Sequence, residues 1–296
     1  MNRTPLRYPG GKQKVTPFVE QVLKANGIDG HYIEPYAGGA GVALSLLISR
    51  KVKNIHLNDS DIRIYAFWHS VVNHSSKLCK RIASASLTIE EWQKRKEILQ
   101  NPKKYNLFEL GYSTFYLNRC NRSGVLNAGV IGGKNQDGNY KMDARFSRND
   151  LIRRIELISL FKNQIHISNK DAEFYIENYI PNLPQNSLIY LDPPYYNKGQ
   201  ELYLNAYKPE DHRRLSETIQ KIKKCNWILS YDGVPEIVKL YTQRRNFKYK
   251  LQYSAAQNYK GTEIFIFGDS IIIPRECGLK YIDKELDKMK TGHNMR

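Results

Sequence analysis

The amino-acid sequence predicts an α/β fold organised around a mostly parallel sheet. Short strand-like runs alternate with helix-like runs along the chain, and a Gly-rich turn at residues 38–41 joins the first strand to its helix. A repeated strand-helix-strand order requires crossover connections, which place helices on the faces of a parallel sheet. The chain has 296 residues, enough for one large domain or for a core domain with an insertion.

The first two strand-helix units lie near the N-terminus. Residues 31–34 form the first predicted strand, and the Gly-rich turn and a helix over residues 42–49 follow it. Residues 54–57 form the second strand, which ends in Asn58-Asp59 before a helix over residues 62–73. Each strand is therefore followed by a polar or Gly-rich segment, at the position where ligands bind in open α/β sheets.

The regular alternation stops at about residue 74 and resumes at about residue 159. The intervening segment contains a helical pattern at residues 88–100 and then a stretch rich in Gly, Asn and basic residues. We interpret residues 74–158 as an inserted, mostly helical module, and residues 1–73 together with 159–275 as the core domain. Residues 276–296 form a polar and basic C-terminal tail.

The core domain resumes with more strands and at least one helix. The predicted strands are the runs at residues 164–168, 188–191, 227–231 and 263–267. A helical pattern over residues 215–223 lies between the second and third of these runs. The alternation of strand and helix therefore continues to the end of the core domain.

The charge of the chain favours a polyanionic partner. Its formal net charge is +17 and its pI is near 9.5, so phosphate contacts would be favourable. Its 21 tyrosines suit stacking on exposed bases. Nucleic acid is the simplest such partner, although some basic proteins are merely soluble.

The cysteine spacing indicates neither a zinc site nor a disulfide framework. Cys79, Cys120, Cys225 and Cys277 are far apart, so we interpret them as reduced cytosolic thiols. No apolar stretch is long enough to span a bilayer, and no apolar signal segment follows the N-terminus. We therefore expect a cytoplasmic protein with no metal site and no membrane anchor.

The most specific motif is Asp192-Pro193-Pro194-Tyr195, which directly follows the apolar run at residues 188–191. The two prolines restrict the backbone and lack N–H donors, so this turn can hold a single shape. A carboxylate, the carbonyl oxygens of a stiff turn and an aromatic ring can together hold a planar base with an exocyclic amine. Taken alone, the motif is equally compatible with a strand that ends in a Pro-rich turn.

Polar and Gly-rich residues follow three other predicted strands. The segment from Glu34 to Gly41 allows close approach to a ligand, and the helix after it offers unpaired N–H donors. Asp59 ends the second strand, where an acid binds ribose hydroxyls in dinucleotide folds, although Asp59 or Asp61 could equally cap the next helix. Asp171 ends a third strand, and it either accepts from an adenine amine or caps the helix after it.

A further segment near the N-terminus, Leu6 to Lys12, combines an aromatic ring, a Pro-Gly-Gly turn and a cation. These groups could clamp a carboxylate or a phosphate. The segment is not a P-loop, because no strand precedes it and no Ser or Thr follows the lysine.

Together these motifs resemble the D12 class of adenine-specific DNA methyltransferases, the class that includes the Dam-type enzymes. The resemblance extends from Arg7 to about Phe267, with the Tyr-Pro-Gly-Gly-Lys segment first, then the Gly-rich turn, an insertion and Asp-Pro-Pro-Tyr. Later segments at residues 207–215, 230–232 and 258–263 also resemble the family.

The resemblance implies a seven-stranded, mostly parallel Rossmann-like methyltransferase sheet. It implies that the core domain binds S-adenosylmethionine and catalyses methyl transfer, and that residues 74–158 form the target-recognition domain that binds DNA. The implied reaction moves a methyl group to the exocyclic amine of an adenine that is flipped out of duplex DNA.

The resemblance also assigns roles to residues by position. The implied cofactor-binding residues are Tyr8, Gly10, Gly11, Lys12, Glu34, Pro35, Tyr36, Ala37, Gly38, Asp59, Asp171 and Asp192. Asp59 would bind the ribose and Asp171 would lie by the adenine of the cofactor, with the residues from Tyr8 to Gly38 around its methionine end. The implied catalytic residues, which hold the target adenine, are Asp192, Pro193, Pro194 and Tyr195. The implied DNA-binding residues are Asn118, Arg119, Arg122, Lys134 and Lys260.

One segment departs from the family pattern. Residues 117–124 resemble the opening of the target-recognition region, where Arg119 and Arg122 could contact phosphates or guanine edges, or could be solvated surface arginines. Dam-type enzymes that read GATC tend to carry an arginine three residues after that glycine, whereas this chain has Asn127. The recognition sequence is therefore open.

The sequence thus predicts a DNA adenine methyltransferase that uses S-adenosylmethionine and no metal. Two alternatives stay open, namely an RNA adenine methyltransferase on the same fold and a nucleic-acid-binding protein that no longer catalyses. NAD-dependent chemistry is disfavoured because the chain lacks a complete Gly-x-Gly-x-x-Gly turn. A restriction endonuclease counterpart, host regulation and phage-borne self-protection are all compatible with this prediction.

Overall fold

The structure, a computed structural model, describes residues 3–7, 12–197, 207–250 and 262–274. Within these residues seven strands form one sheet, in the order β3-β2-β1-β4-β5-β7-β6. The strands are β1 (His31–Glu34), β2 (Asn54–Asn58), β3 (Ile165–Ser168), β4 (Ser187–Leu191), β5 (Asn226–Asp232), β6 (Asn246–Lys250) and β7 (Thr262–Phe267). Strands β1 to β5 pair in parallel, and β7 runs antiparallel between β5 and β6. The predicted α/β fold with a mostly parallel seven-stranded sheet is confirmed.

The described part of the chain contains ten α-helices. They are α1 (Thr16–Ala25), α2 (Gly41–Ile48), α3 (Ile62–Asn73), α4 (Ser75–Ala83), α5 (Ile89–Gln100), α6 (Leu107–Cys120), α7 (Arg148–Ser159), α8 (Ala172–Asn178), α9 (Pro209–Gln220) and α10 (Pro235–Leu240). A 3₁₀ turn, Lys12–Val15, leads directly into α1. No helix in these ranges combines the length and the apolar character that crossing a bilayer requires.

The two faces of the sheet carry separate apolar cores because successive side chains of a strand point to opposite faces. Tyr32, Leu188 and Phe265 belong to the core that includes residues of α1, α2 and α3. Ile33 and Ile189, each one residue away in the same strands, belong to the core formed with α8, α9 and α10. The central strands are therefore buried on both faces, as parallel strands usually are.

The segment at residues 74–158 packs directly on the core domain through α3 and α6. The rings of Phe67 and Phe115 stack at 6.0 Å between centroids. A Cβ atom on Gly111 would lie 2.3 Å from the carbonyl oxygen of Ala66 and 2.4 Å from Ser70 Oγ, so only glycine permits this approach of the two helices. One apolar core continues from the sheet through α3 into α4 to α7. The domain boundaries stay a prediction.

Two elements differ from the sequence-based expectation. The helix expected over residues 215–223 begins at Pro209, where proline suits the first turn and Asp211 Oδ2 accepts from the backbone N–H of Lys208 at 2.8 Å. Strand β6, whose sequence is Asn-Phe-Lys-Tyr-Lys, was not predicted. It is an edge strand, and charged side chains are common on such strands because they discourage pairing with other chains.

Three histidines on neighbouring strands form a stack across β1, β2 and β3. His31 Nδ1 lies 2.8 Å from His56 Nε2, and the rings of His56 and His166 stack at 4.5 Å between centroids. Burial, together with the neighbouring imidazoles, lowers the pKa of His56 from 6.5 to about 3. Burial also lowers the pKa of His31 and that of His166. The folded protein therefore keeps His56 neutral at pH values where the unfolded chain protonates it.

We predict that His56→Gln will flatten the pH dependence of stability between pH 6.5 and 4. The stability that a depressed histidine pKa provides is present above pH 6.5 and is lost as the pH falls towards 3, because the unfolded chain binds the extra proton. The effect reaches at most about 1.4 kcal/mol per pH unit. Urea unfolding at several pH values measures it.

The comparison uses slopes rather than absolute stabilities, because the substitution also removes packing. Between pH 8 and 9 the imidazoles are neutral in both folded and unfolded chains, so the two stability curves should run parallel there. Equal slopes below pH 6.5 would contradict the prediction.

Candidate active site

The candidate site lies where the strand order of the sheet reverses. Strand β1 pairs with β2 on one side and with β4 on the other, so a crevice is expected at the carboxyl ends of β1 and β4. Glu34 is the last residue of β1, and Asp192 directly follows β4. Strand β7 is antiparallel and therefore begins at this edge, where Glu263 pairs with Asp232 of β5 and with Tyr249 of β6.

The ammonium group of Lys12 lies between two carboxylates. Its Nζ is 3.5 Å from Asp192 Oδ1 and 3.2 Å from Glu263 Oε2. It also donates a hydrogen bond to the hydroxyl of Tyr195. The side chain of Lys12 is 6% exposed and that of Glu263 is 3% exposed, so both charges are nearly removed from water. A lysine buried this far requires the carboxylates that face it.

Asp192 is held through one of its two oxygens. The Ser230 hydroxyl donates to Oδ1 at 2.8 Å, and the Tyr190 hydroxyl donates to Ser230 Oγ at 3.0 Å. Lys12 also approaches Oδ1. Burial raises the pKa of Asp192, the charge of Lys12 lowers it and the charge of Glu263 raises it. The side chain is 22% exposed, so a ligand can still reach the carboxylate.

The turn after Asp192 is fixed by a second carboxylate. Asp232 Oδ1 accepts from the backbone N–H of Tyr196, and Oδ2 accepts from that of Asn197, both at 3.0 Å. The ring of Tyr195 lies 6.1 Å from that of Tyr231, whose hydroxyl is 2.5 Å from His212 Nδ1. These contacts hold the Pro-Pro-Tyr turn from both ends, in agreement with the rigid turn that the prolines predict.

The Gly-rich turn is attached to the end of β2 by Asp59. Asp59 Oδ2 accepts from the N–H of Gly38 and Oδ1 accepts from that of Asp61, both at 2.9 Å. Asp61 is the residue that caps α3, since its side chain accepts from the N–H of Arg63 at 2.9 Å. Burial raises the pKa of Asp59 to about 7, against the lowering effect of its two backbone hydrogen bonds. The partly exposed Asp59 therefore orients the turn and does not cap the helix.

Glu34 connects the end of β1 to the first turn of α2. Its Oε1 accepts from the N–H of Ala43 at 3.1 Å, and the residue is 5% exposed. Burial raises the pKa of Glu34 to about 8, the hydrogen bond from Ala43 lowers it and the charge of Asp192 raises it. Pro35 and Ala37 lie in the same turn; the Pro35 carbonyl accepts from Asn58 at 3.0 Å, and the N–H of Ala37 donates to the Asn58 carbonyl at 2.8 Å.

Tyr36 extends from this turn towards Tyr207, and their hydroxyls are 3.1 Å apart.

Asp171 does not end a strand, because β3 already ends at Ser168. Its carboxylate caps α8 by accepting from the N–H of Phe174 at 3.1 Å, which is one of the two roles the sequence left open. Burial raises the pKa of Tyr207 to about 12, the hydrogen bond with Tyr36 lowers it, and the charge of Asp171 makes a smaller raising contribution.

A comparison with protein families identifies this arrangement. The model of the D12 class N6 adenine-specific DNA methyltransferases matches residues 8–255, which is most of the chain. The chain belongs to this family. The resemblance inferred from the motifs is thereby confirmed, and the motifs Glu34 to Gly41 and Asp192 to Tyr195 both lie within the matched range.

Two relatives of this D12-class chain carry the name Type II methyltransferase. M.CviBI from Paramecium bursaria Chlorella virus NC1A is 25% identical over 255 residues, which are 84% of this chain and 90% of the relative. M.MjaIII from Methanocaldococcus jannaschii is 25% identical over 239 residues, which are 74% of this chain and 80% of the relative. A solved structure, protein LPL1258 from Legionella pneumophila str. Philadelphia 1, aligns over 88% of this chain and 86% of that one with 9% identity. Its TM-score is 0.32, too low to carry an argument.

Several predicted cofactor and DNA residues fall outside the described ranges. These are Tyr8, Gly10, Gly11 and Lys260. Lys12, Glu34, Asp59 and Asp192 all lie at the carboxyl edge of the sheet, whereas Asp171 lies in the loop between β3 and α8. No group of three or more His, Cys, Asp or Glu side chains is arranged to hold a metal ion in the part of the chain that the structure describes.

The residues predicted to bind DNA differ in exposure. Asn118 is buried, and its amide accepts from Arg7 N at 2.7 Å and donates to the carbonyls of Arg7 and Gly124 at 2.7 and 2.8 Å. Arg119 is partly buried and donates from Nε to the carbonyl of Arg145 at 2.6 Å. The side chains of Arg122 and Lys134 are exposed. DNA contacts by these residues stay predictions.

Sequence reasoning missed Ser230, Tyr249 and Glu263 as individual site residues. Ser230 and Glu263 lie in segments that resemble the family, but neither was assigned a role. The sequence does show an acidic residue at the start of a predicted strand. It cannot show that this strand begins at the edge where the parallel strands end, which is what places Glu263 in the site. Strand β7 brings Glu263 to that edge because it runs antiparallel to β5.

We predict that Glu34→Gln will stabilise the cofactor-free protein increasingly from pH 5 to pH 8. Because the folded-state pKa of Glu34 is raised from 4.5 to about 8, its contribution to stability is present below pH 4.5 and is lost as the pH rises through 8. Glutamine has nearly the shape of the protonated glutamic acid side chain and carries no charge at any pH in this range. Urea unfolding at pH 5 and pH 8.5 measures the difference, and Asp59, present in both proteins, contributes equally. A constant difference across this range would contradict the prediction.

Proposed function

We propose that this D12-class chain transfers a methyl group from S-adenosylmethionine to the N6 amine of an adenine in duplex DNA. The observation that carries the proposal is the carboxylate of Asp192 at the strand-order reversal. It is anchored through Oδ1 by Lys12 and Ser230, and it lies beside a turn that presents Tyr195.

The donor set at the carboxyl edge fits the proposed cofactor. Asp59 is partly exposed, and each of its oxygens accepts one backbone N–H, which leaves further lone pairs for ribose hydroxyls. Burial raises the pKa of Glu34, Asp59 and Asp192 around the reversal, and a positively charged ligand beside them would favour their ionised forms. The bound cofactor would supply a methyl group as an electrophile and would leave as a neutral thioether.

Asp192 would act on the amine of the target adenine. That amine is a poor nucleophile because its lone pair is conjugated with the ring, so an acceptor for its N–H groups increases electron density on the nitrogen. Among the described residues, the contacts to Asp192 from Lys12 and Ser230 both use Oδ1. We therefore assign Oδ2 and the Pro193 carbonyl as acceptors for the amine. The carboxylate can also take up the proton that the methylated nitrogen loses.

Tyr195 would stack on the target base. Its hydroxyl accepts from Lys12, and its ring packs near Tyr231, so the ring has a defined position before any base arrives. A pre-positioned aromatic face stabilises positive charge that develops on the base as the methyl group is transferred. The adenine must leave the duplex to reach this ring, at a cost of a few kcal/mol.

Clustered arginines support binding of the DNA backbone. Burial and the charges of Arg7 and Arg154 lower the pKa of Arg119 to about 10, and burial and Arg145 lower that of Arg7. Asp150, whose Oδ2 lies 2.6 Å from Arg154 Nη2, offsets part of this positive charge, and a phosphate would offset more of it. The exposed Arg122 extends from a turn that Asn118 and Asn121 fix through their amides, with Ser123 at a φ of 55°.

We further propose a cytoplasmic enzyme with a restriction endonuclease as its counterpart. The buried, unpaired thiols of Cys79, Cys120 and Cys225 support a reducing compartment. The name of the two relatives, Type II methyltransferase, supports the restriction-modification role.

The first test incubates the protein with labelled S-adenosylmethionine and a mixed-sequence duplex, followed by sequencing for methylated adenines. Methylation within one short sequence context is the expected result. Methylation of folded or single-stranded RNA in preference to DNA would replace the proposal with an RNA adenine methyltransferase. Cofactor and DNA binding without methyl transfer to either would indicate a catalytically silent binding protein.

We predict that Asp192→Ala will reduce methyl transfer by at least about a thousand-fold while leaving cofactor affinity within about ten-fold. The fold should survive because Lys12 keeps Glu263 as its counter-ion at 3.2 Å. Single-turnover kinetics measures the chemical step, and calorimetric titration with S-adenosylhomocysteine measures binding. A variant that methylates DNA at nearly the wild-type rate would refute the assigned role of Asp192.

A further inference from the structure

The buried lysine of the site has one counter-ion that the Asp-Pro-Pro-Tyr motif does not supply. Glu263 belongs to β7, 251 residues from Lys12 in sequence, yet its Oε2 is the closer of the two carboxylate contacts to the ammonium. The distances are 3.2 Å to Glu263 and 3.5 Å to Asp192.

Glu263 is itself held from the side of β6. The Tyr249 hydroxyl donates to Glu263 Oε2 at 2.5 Å, and the two residues are register partners in the β6–β7 ladder. The ring of Tyr249 stacks on that of Phe265 at 4.1 Å between centroids, with 8° between the planes. Glu263 is 2% exposed and Tyr249 is fully buried. The carboxylate therefore has little freedom to follow Lys12 if the lysine moves.

We propose that Glu263 is a positioning residue for methyl transfer, which holds the Lys12 ammonium between two carboxylates so that Asp192 remains available to the target amine. The inference rests on the proposed function, since it assigns a role in that reaction. Glu263 does not contact the substrate in this scheme; it acts through its ion pair with Lys12 and through its charge near Asp192.

A second carboxylate beside Lys12 would assist methyl transfer because it changes the net charge of the site. A lysine with Asp192 as its single partner would form a neutral pair, in which the ammonium competes with the amine for the lone pairs of the carboxylate. Two carboxylates around one ammonium leave a net negative charge close to the amine. Positive charge develops on the amine nitrogen as it attacks, so this fixed negative charge stabilises the transition state more than the ground state.

The titratable and charged groups around Asp192 come from six parts of the fold. Lys12 precedes α1, Tyr32 and Glu34 belong to β1, Tyr190 and Tyr195 belong to β4 and its turn, Tyr231 belongs to β5, and Tyr249 and Glu263 belong to β6 and β7. Among these groups, the charge of Glu263 contributes more than any other to raising the pKa of Asp192, after the effect of burial.

The test measures kcat, KM and the pH profile of DNA methylation for Glu263→Gln. Glutamine keeps the shape of the side chain and removes its charge, so we expect kcat to fall about 10- to 100-fold with KM for DNA and cofactor within about two-fold. The acid limb of the kcat profile should move to lower pH, because Asp192 loses a like charge that raises its pKa. A merely structural role would lower the rate without moving the limb.

Two variants serve as controls. Glu236→Gln removes one negative charge from the exposed surface of α10 and should leave the rate and the profile unchanged. Glu263→Asp keeps the charge and should retain the wild-type position of the acid limb, even where its shorter side chain lowers kcat.

The outcomes separate this inference from the proposed function. Thermal melting first shows whether Glu263→Gln is folded. If the wild-type protein methylates DNA, and the folded variant keeps kcat within about three-fold of wild type or keeps its acid limb at the wild-type pH, the positioning role is overturned. The proposed function stands in that case. If the wild-type protein methylates nothing, both the positioning role and the proposed function are overturned.

If Glu263→Gln does not fold, Tyr249→Phe tests the positioning role instead. It removes the hydroxyl that holds Glu263 and should lower kcat about three- to ten-fold at constant KM, and an unchanged kcat would overturn the role.

Discussion

The burial of the Lys12 ammonium is the constraint on which the arrangement of the site depends. An isolated charge in this position would cost several kcal/mol, so the fold must bring its partners to it. Those partners are distant in sequence, since Tyr195 is 183 residues and Glu263 is 251 residues from Lys12. The N-terminal segment, the turn after β4 and the start of β7 therefore meet at one point, and only the complete sheet brings them together.

Hydrogen bonds between loops extend this constraint along the carboxyl edge. Asp59 ties the Gly-rich turn to β2, and Asp232 ties the turn after β4 to β5. In each case a strand-end carboxylate accepts backbone N–H groups of a neighbouring turn, so the shape of one turn depends on the strand beside it. The described turns at this edge are therefore positioned by one another through hydrogen bonds. Rigid loops of this kind reduce the ordering cost when substrates bind.

The sequence predicted the strands at the centre of the sheet better than its edge. Apolar runs such as Ser187 to Leu191 identify buried strands directly, and the motif that follows places a carboxylate at the strand end. Strand β6 escaped prediction because its lysines alternate with aromatic residues, a pattern that fits an edge strand and a polar loop equally well. The position of Glu263 beside Lys12 escaped prediction because strand direction and pairing are properties of the whole sheet. Likewise, only the structure distinguishes Asp59, which holds a turn, from Asp61, which caps a helix.

The contact of Gly111 with Ala66 and Ser70 has a consequence for engineering the segment at residues 74–158. Because α6 lies against α3 with no room for even a methyl group, residues 74–158 cannot be exchanged as a unit unless this helix contact is kept. A transplanted segment would need the same glycine and the same contact surface between α3 and α6. The packed surface does not stop where α6 ends at Cys120, because Phe146 packs against Phe115 and Tyr116 and is buried together with Val130 and Met142. Libraries that vary the exposed positions between residues 122 and 147, while keeping α3, α6, Val130, Met142 and Phe146, would preserve the shared core.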